Sequence, residues 1–221
     1  MNILMLRHSA GFEHSYLPNA EVAIKDLSKA NGWNVLTTHY LNRISAESLE
    51  KVDVLIFATT GELAFSAEQK QAILDFVKSG KGFFGIHNAT DTCYKWAEYG
   101  EMIGGYFAGH PWTQEVGIVV EDSNHPATRM LDSSFRVFDE IYTFKNWDRS
   151  KTRVLMRIDN DTVDLAKGNR DDNDYAMGWC HEYGQGRVMY SALGHPDDLW
   201  KQDWFLEHIV GCIKWAGRLE D

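Results

Sequence analysis

Along the first ninety positions, apolar residues come in short runs that stop at glycine or at polar residues. Residues 2–6, 33–37, 52–58 and 82–86 are such runs, each too short for a helix. The run 52–58 is unbroken, as in parallel strands buried on both faces. Between these runs, 18–31, 45–51 and 66–79 read as helices, with Val22, Ile24 and Leu27 apolar in the first. Ala67, Ile73, Leu74 and Val77 supply an apolar face to the third. Ser66 with Gln69 predicts a capping box at its start, and Gly80 ends it. Asn31-Gly32 is the stop signal of the first helix. This β-α-β-α-β-α-β order predicts a parallel, doubly wound α/β sheet with right-handed crossovers.

The second half has a different rhythm. Strands are expected at 117–121, 135–142 and 154–158, with a turn at Asn124-His125-Pro126 and a polar, acidic loop over 160–174. Residues 176–181 and 186–193 form a hairpin across 182–185. A closing helix at 201–217 carries Phe205, Ile209 and Ile213 on one face. No repeat or linker divides the chain, so 1–221 reads as one domain whose β-rich second half extends the sheet.

Composition narrows the function classes. With 44% hydrophobic and 13% aromatic residues in 221, the chain can fill a substantial core. A formal net charge of −10 argues against nucleic acid and anionic membranes as partners. The three cysteines, Cys93, Cys180 and Cys212, are widely spaced and form neither a disulfide framework nor a zinc motif, which fits a reducing compartment. With no signal-like segment and no membrane-length apolar run, the expectation is a soluble, cytoplasmic protein.

Candidate chemistry gathers where strands end. The run 82–86 stops on His87, followed by Asn88, Thr90 and Asp91, and Gly104-Gly105 then leads to His110-Pro111. Ligands of parallel α/β sheets sit beyond the carboxyl ends of the strands. His8, His87 and His195 each follow an apolar run. If strands one and four lie two spacings apart, His8 and His87 are about 10 Å apart at the backbone and can share a ligand. Histidine there serves as acid, base or metal ligand. A hydrogen bond to a loop is the simpler role for each alone; three together favour a pocket. Asp139-Glu140 is a carboxylate pair in an apolar strand, so only one can face that pocket, and desolvation there raises a carboxyl pKa. No Gly-x-Ser-x-Gly elbow is present. Gly85-Ile86-His87-Asn88-Ala89 occupies the equivalent position with histidine at its centre, which excludes thiolate or alkoxide chemistry there. Walker, Rossmann and zinc-peptidase motifs are absent. Trp96, Trp112, Trp147, Trp179 and Trp200 lie near these polar motifs, a mixture that suits a carbohydrate, though burial in the core is the simpler role for most.

Taken in order, Gly85-x-His87, Asp91, Tyr99, Gly104-Gly105-x-Phe107, His110-Pro111, His125-Pro126, Asp139-Glu140-x-Tyr142, Trp179, Gly184-x-Gly186-Arg187-Val188, Leu193-Gly194-His195 and Trp215-Ala216 resemble the trehalose-utilisation (ThuA-like) family. The chain departs from the pattern at Ala176, where many members have a proline nearby. The resemblance implies a flavodoxin-like, mainly parallel sheet of the class I glutamine amidotransferase type without glutaminase activity. It implies a link to catabolism of trehalose and related disaccharides through 3-keto sugars. On that basis His87, Glu140 and His195 are the expected catalytic residues, and His8, Asp91, His110, Tyr142 and Trp179 the expected sugar contacts. A divalent metal is a candidate cofactor, with His8, His87 and His195 as candidate ligands. A small-molecule sugar is the expected partner, and a homo-oligomer is allowed. A non-catalytic sugar-binding or regulatory protein on the same scaffold is the alternative.

Overall fold

The computed structural model describes residues 1–221. Strands β1 (Asn2–Ser9), β2 (Asn34–Thr38), β3 (Val54–Thr60) and β4 (Gly82–Ile86) pair in parallel in the order β2-β1-β3-β4. Helices α1 (Leu17–Ala30), α2 (Ala46–Leu49) and α3 (Ala67–Lys78) connect them. Every residue of β3 and β4 is buried, as continuous apolar runs require in a sheet covered on both faces. The capping box of α3 forms: Ser66 Oγ accepts from the Gln69 amide, and Gln69 Oε1 from the Ser66 amide. In α1 the buried face is Leu17, Ala20, Ala23 and Ile24, while Val22 points to solvent.

The second half completes a mixed, nine-stranded sheet in the order β2-β1-β3-β4-β9-β8-β7-β5-β6. It comprises α4 (Ala97–Ile103), β5 (Tyr106–Val120), β6 (Ser134–Lys145), β7 (Arg153–Ile158), β8 (Ala176–Tyr183), β9 (Gly186–Ser191) and α5 (Asp203–Ala216). β9 pairs in parallel with β4, and the remaining pairs are antiparallel. Two features differ from the sequence expectation. Helix α4 is only seven residues long, too short to show periodicity, although Tyr99, Met102 and Ile103 are buried. β5 begins at Tyr106 rather than near 117, because its first part contains Pro111 and two register shifts that hide the alternation.

That first part positions the site. β5 pairs with β6 along its length but with β7 only over Ile118–Val120. The rest of the hairpin leaves the sheet and crosses back to the turn that follows β4, which β5 contacts. The core is one cluster of 64 buried residues, and no helix is long and apolar enough to cross a membrane.

The closing helix is anchored by polar contacts as well as by Phe205, Ile209 and Ile213, all fully buried. Buried His208 donates from Nδ1 to the Ala127 carbonyl at 2.6 Å and accepts at Nε2 from the Ser191 hydroxyl at 2.9 Å. Nearby His125 accepts from the Ala127 amide at 3.1 Å. Burial is the main cause that pushes both imidazoles down to about 4. Above about pH 6.5, the ordinary imidazole pKa, neither the folded nor the unfolded chain protonates them. Below it the unfolded chain takes up protons that the folded chain refuses, so stability is present above that pH and lost as pH falls toward 4. Denaturant midpoints measured between about pH 7 and about pH 4.5 should therefore fall steadily, and His208→Gln should make the fall shallower.

Candidate active site

β4 ends in a sharp turn centred on His87, whose φ of 38° lies in the left-handed region. Such a conformation in a non-glycine residue costs roughly 1–3 kcal/mol and needs surrounding contacts to hold it. Gly85 lets the turn close: a Cβ there would sit 3.0–3.2 Å from Ile103, Ala89 and Tyr190. The Tyr190 hydroxyl donates to the His87 carbonyl at 2.6 Å, and His87 Nδ1 donates to the Ala192 carbonyl at 2.7 Å. The second bond fixes the tautomer, so the lone pair of the fully buried ring is on Nε2. That atom lies 3.2 Å from His195 Nδ1 and 3.6 Å from Glu140 Oε2.

Asp139 and Glu140 divide their work as strand alternation requires. Asp139 is fully buried and accepts from the amides of Gly194, His195 and Glu140 at 2.9, 3.2 and 2.8 Å. It ties the loop carrying His195 to β6. Burial raises its pKa to about 6 against the opposing pull of His87 and these amides. Glu140 faces the pocket, 3.1 Å from His195 Nδ1 and 3.5 Å from His110 Nδ1. Burial pushes its pKa up, but the bonds to His195 and His87 outweigh it and hold the carboxyl well below the usual range. The pocket-facing carboxylate is thus not the one with a raised pKa. His195 is shifted upward, first by its bond to Glu140.

The fourth member is His14, on the loop between β1 and α1, buried at 3% exposure. Its ring lies between the Asn88 amide, 3.2 Å from Nδ1, and the Tyr142 hydroxyl, 3.3 Å from Nε2. Tyr16, stacked on Trp200, donates to Asn88 Oδ1 at 2.7 Å and so steadies the amide. Burial, then the neighbouring His87 and His195, push His14 down to about 3, so it is neutral at physiological pH.

One ligand atom from each of His14, His87, Glu140 and His195 lies within 4.8 Å of every other. In a tetrahedral centre with ligand distances of about 2.0–2.1 Å, ligand atoms stand roughly 3.3 Å apart. The His87–His195, His195–Glu140 and His87–Glu140 separations of 3.2, 3.1 and 3.6 Å match one face of such a tetrahedron. Neutral imidazoles with one carboxylate are the donor set of a divalent transition metal, and the His87–Ala192 bond is the carbonyl support that ligating histidines commonly have.

Of the residues singled out from the sequence, His87, Glu140 and His195 converge here. Tyr142 packs 4.1 Å from the His87 ring, between ring centroids. His110 and Asp91 lie at the rim; the Tyr94 hydroxyl donates to Asp91 at 2.5 Å, and burial raises the Asp91 pKa. Two expectations are corrected. β1 runs on to Ser9, so His8 stays in the ladder opposite Thr59, bonded to the His39 carbonyl at 2.7 Å and outside the cluster. Trp179 is fully buried, with its indole N–H donated to the Ile103 carbonyl at 2.8 Å, so it cannot touch a ligand. Trp96, Trp112, Trp147 and Trp200 are likewise core residues, at 5% exposure or less. His14 was not singled out; its only sequence signal is a histidine in the loop after the first strand, with nothing to show that its ring turns inward. Removing the Asp139 anchor by Asp139→Asn should accelerate amide hydrogen exchange at Gly194 and His195 by roughly tenfold or more, as expected when a hydrogen bond to a charged group is weakened.

A model of the family described as ThuA, trehalose utilisation, matches residues 2–216. No curated protein matches the chain in sequence. A solved ThuA-like protein from Bacteroides uniformis superimposes with a TM-score of 0.79 at 21% identity, over 97% of this chain and 90% of that one. One from Parabacteroides merdae gives 0.73 at 14%, over 100% and 91%. The PurLQS structure from Thermotoga maritima gives 0.58 at 15%, over 97% and 99%. At these identities the solved structures speak for the fold alone, whereas the family model covers nearly the whole sequence: the chain belongs to the ThuA, trehalose-utilisation, family.

Proposed function

We propose that this protein is a sugar-catabolism enzyme that acts on a disaccharide or 3-keto sugar in the cytoplasm. The convergence of His14, His87, His195 and Glu140 on one point carries the reading. These four would hold a divalent cation. When bound, it would supply Lewis-acid polarisation of a carbonyl oxygen. The protein's own residues supply the rest. Tyr142, His110 and Asp91, which lie beside the cluster, would bind and orient sugar hydroxyls around that carbonyl. At the rim, Asp91, with its pKa raised by burial, and half-exposed His110 would move the proton on the carbon beside it. The sheet order β2-β1-β3-β4-β9 supports a flavodoxin-like, doubly wound reading of the parallel half, and the PurLQS likeness supports a class I amidotransferase-type scaffold. With histidine at its elbow and no thiol there, that scaffold is read as carrying no glutaminase. Three free, buried cysteines support a reducing compartment.

Turnover of a 3-keto disaccharide together with metal content of the purified protein tests this. His87→Ala should abolish stoichiometric metal, and Glu140→Gln and His87→Ala should each lower turnover by at least roughly 100-fold with the fold intact. Unchanged turnover in both variants would contradict the proposal. Sugar binding by the wild type without turnover on any sugar would make it a binding protein instead.

A further inference from the structure

His87, Glu140 and His195 can each turn a lone pair toward the cluster. His87 already does, Glu140 is a carboxylate, and the His195 side chain, 29% exposed, can exchange its ring proton with solvent. His14 is different. It is buried, and both of its ring nitrogens are engaged. An asparagine amide nitrogen can only donate, so the 3.2 Å contact makes His14 Nδ1 an acceptor from Asn88 Nδ2. The neutral imidazole then carries its proton on Nε2, where it meets the Tyr142 hydroxyl at 3.3 Å. In that tautomer His14 has no lone pair left for a ligand.

Tyr16 sets this arrangement. Its hydroxyl lies 2.7 Å from Asn88 Oδ1, a length typical of an O–H···O bond and short for N–H···O. Tyr16 and Asn88 are both fully buried, and the Tyr16 ring is stacked on Trp200 at an interplanar angle of 1°. The hydrogen bonds therefore run in one direction, from Tyr16 to Asn88 to His14. The opposite direction uses the same atoms. With the amide turned over, Oδ1 accepts from His14 Nδ1–H and Nδ2 donates to the Tyr16 oxygen. His14 then keeps its Nε2 lone pair, and an amide oxygen supports its other nitrogen, as is common for ligating histidines. The Phe12 carbonyl, also near this ring, already accepts from the Thr60 hydroxyl. Turning the amide gives up the bond from the Tyr16 hydroxyl in a place closed to water, so Tyr16 favours the direction that withholds His14.

Resting on the cation site proposed above, we infer that Tyr16 and Asn88 are positioning residues that hold His14 in a non-ligating tautomer, and that their hydrogen-bond chain reverses when the site is loaded. The reversal shifts the His14 ring proton from Nε2 to Nδ1 and leaves the ring neutral. It also withdraws a donor from Tyr142, whose hydroxyl oxygen becomes free to accept from a ligand. Zinc titration of the purified full chain, followed by calorimetry and by nitrogen NMR of isotope-labelled histidines, tests this in wild type, Tyr16→Phe and Asn88→Asp, with His14→Gln to assign the His14 signals. The zinc-free wild type should carry the His14 proton on Nε2, and the zinc-loaded protein should carry it on Nδ1. Tyr16→Phe keeps the stack on Trp200 and removes only the hydroxyl, so it should bind zinc roughly three- to tenfold more tightly, the worth of one hydrogen bond. A tyrosine with a purely structural role would, on removal of its hydroxyl, weaken binding or leave it unchanged. Asn88→Asp, a fixed acceptor, should hold a proton on His14 Nδ1 even without zinc. A proton on His14 Nδ1 in the zinc-free wild type, or Tyr16→Phe binding zinc no more tightly than wild type, would overturn the reversal and leave the cation reading standing. No stoichiometric zinc in the wild type would overturn both.

Discussion

The site depends on the hydrogen bond from His87 Nδ1 to the Ala192 carbonyl. It joins the ends of the neighbouring strands β4 and β9, holds a left-handed backbone in place and leaves a single lone pair pointing out of the core. His195 lies three residues beyond Ala192, on the same segment. Movement of that segment would therefore displace both rings together. With Nδ1 committed to that carbonyl, His87 presents Nε2 to the pocket, and His195, Glu140 and His14 gather around it.

The two halves of the sheet meet at this point and neither would suffice alone. The parallel half supplies His87 and the loop bearing His14. The antiparallel half supplies Glu140 and Tyr142, which reach the cluster because the β5–β6 hairpin detaches from β7 and crosses back. Asp139 then uses the opposite face of the same strand to hold the Gly194–His195 loop. Adjacent carboxylates thus serve in sequence, one positioning a histidine and the next bonding to it.

Much of this was legible from the chain. Continuous apolar runs and caps revealed the parallel half, because buried strands and capped helices leave local signatures. His87 was legible as a polar residue at the end of such a run. Which of Asp139 and Glu140 faces the pocket was not, since alternation says only that they differ. His14 was not, because its inward turn depends on Asn88, Tyr16 and Tyr142, all distant in sequence. His8 and Trp179 were misassigned for related reasons: the strand extended past the apolar run, and an indole near polar motifs in sequence lies under them in space. The start of β5 was masked by its bulges.

The central claim is that four side chains hold one divalent cation. A crystal structure of the protein grown with zinc, with anomalous data at the zinc edge, tests it most directly. The account predicts one peak at about 2.0–2.2 Å from His87 Nε2, His195 Nδ1 and a Glu140 oxygen, with a His14 nitrogen completing the set. No peak at that point, with His87 and His195 still bonded directly to each other, would contradict it.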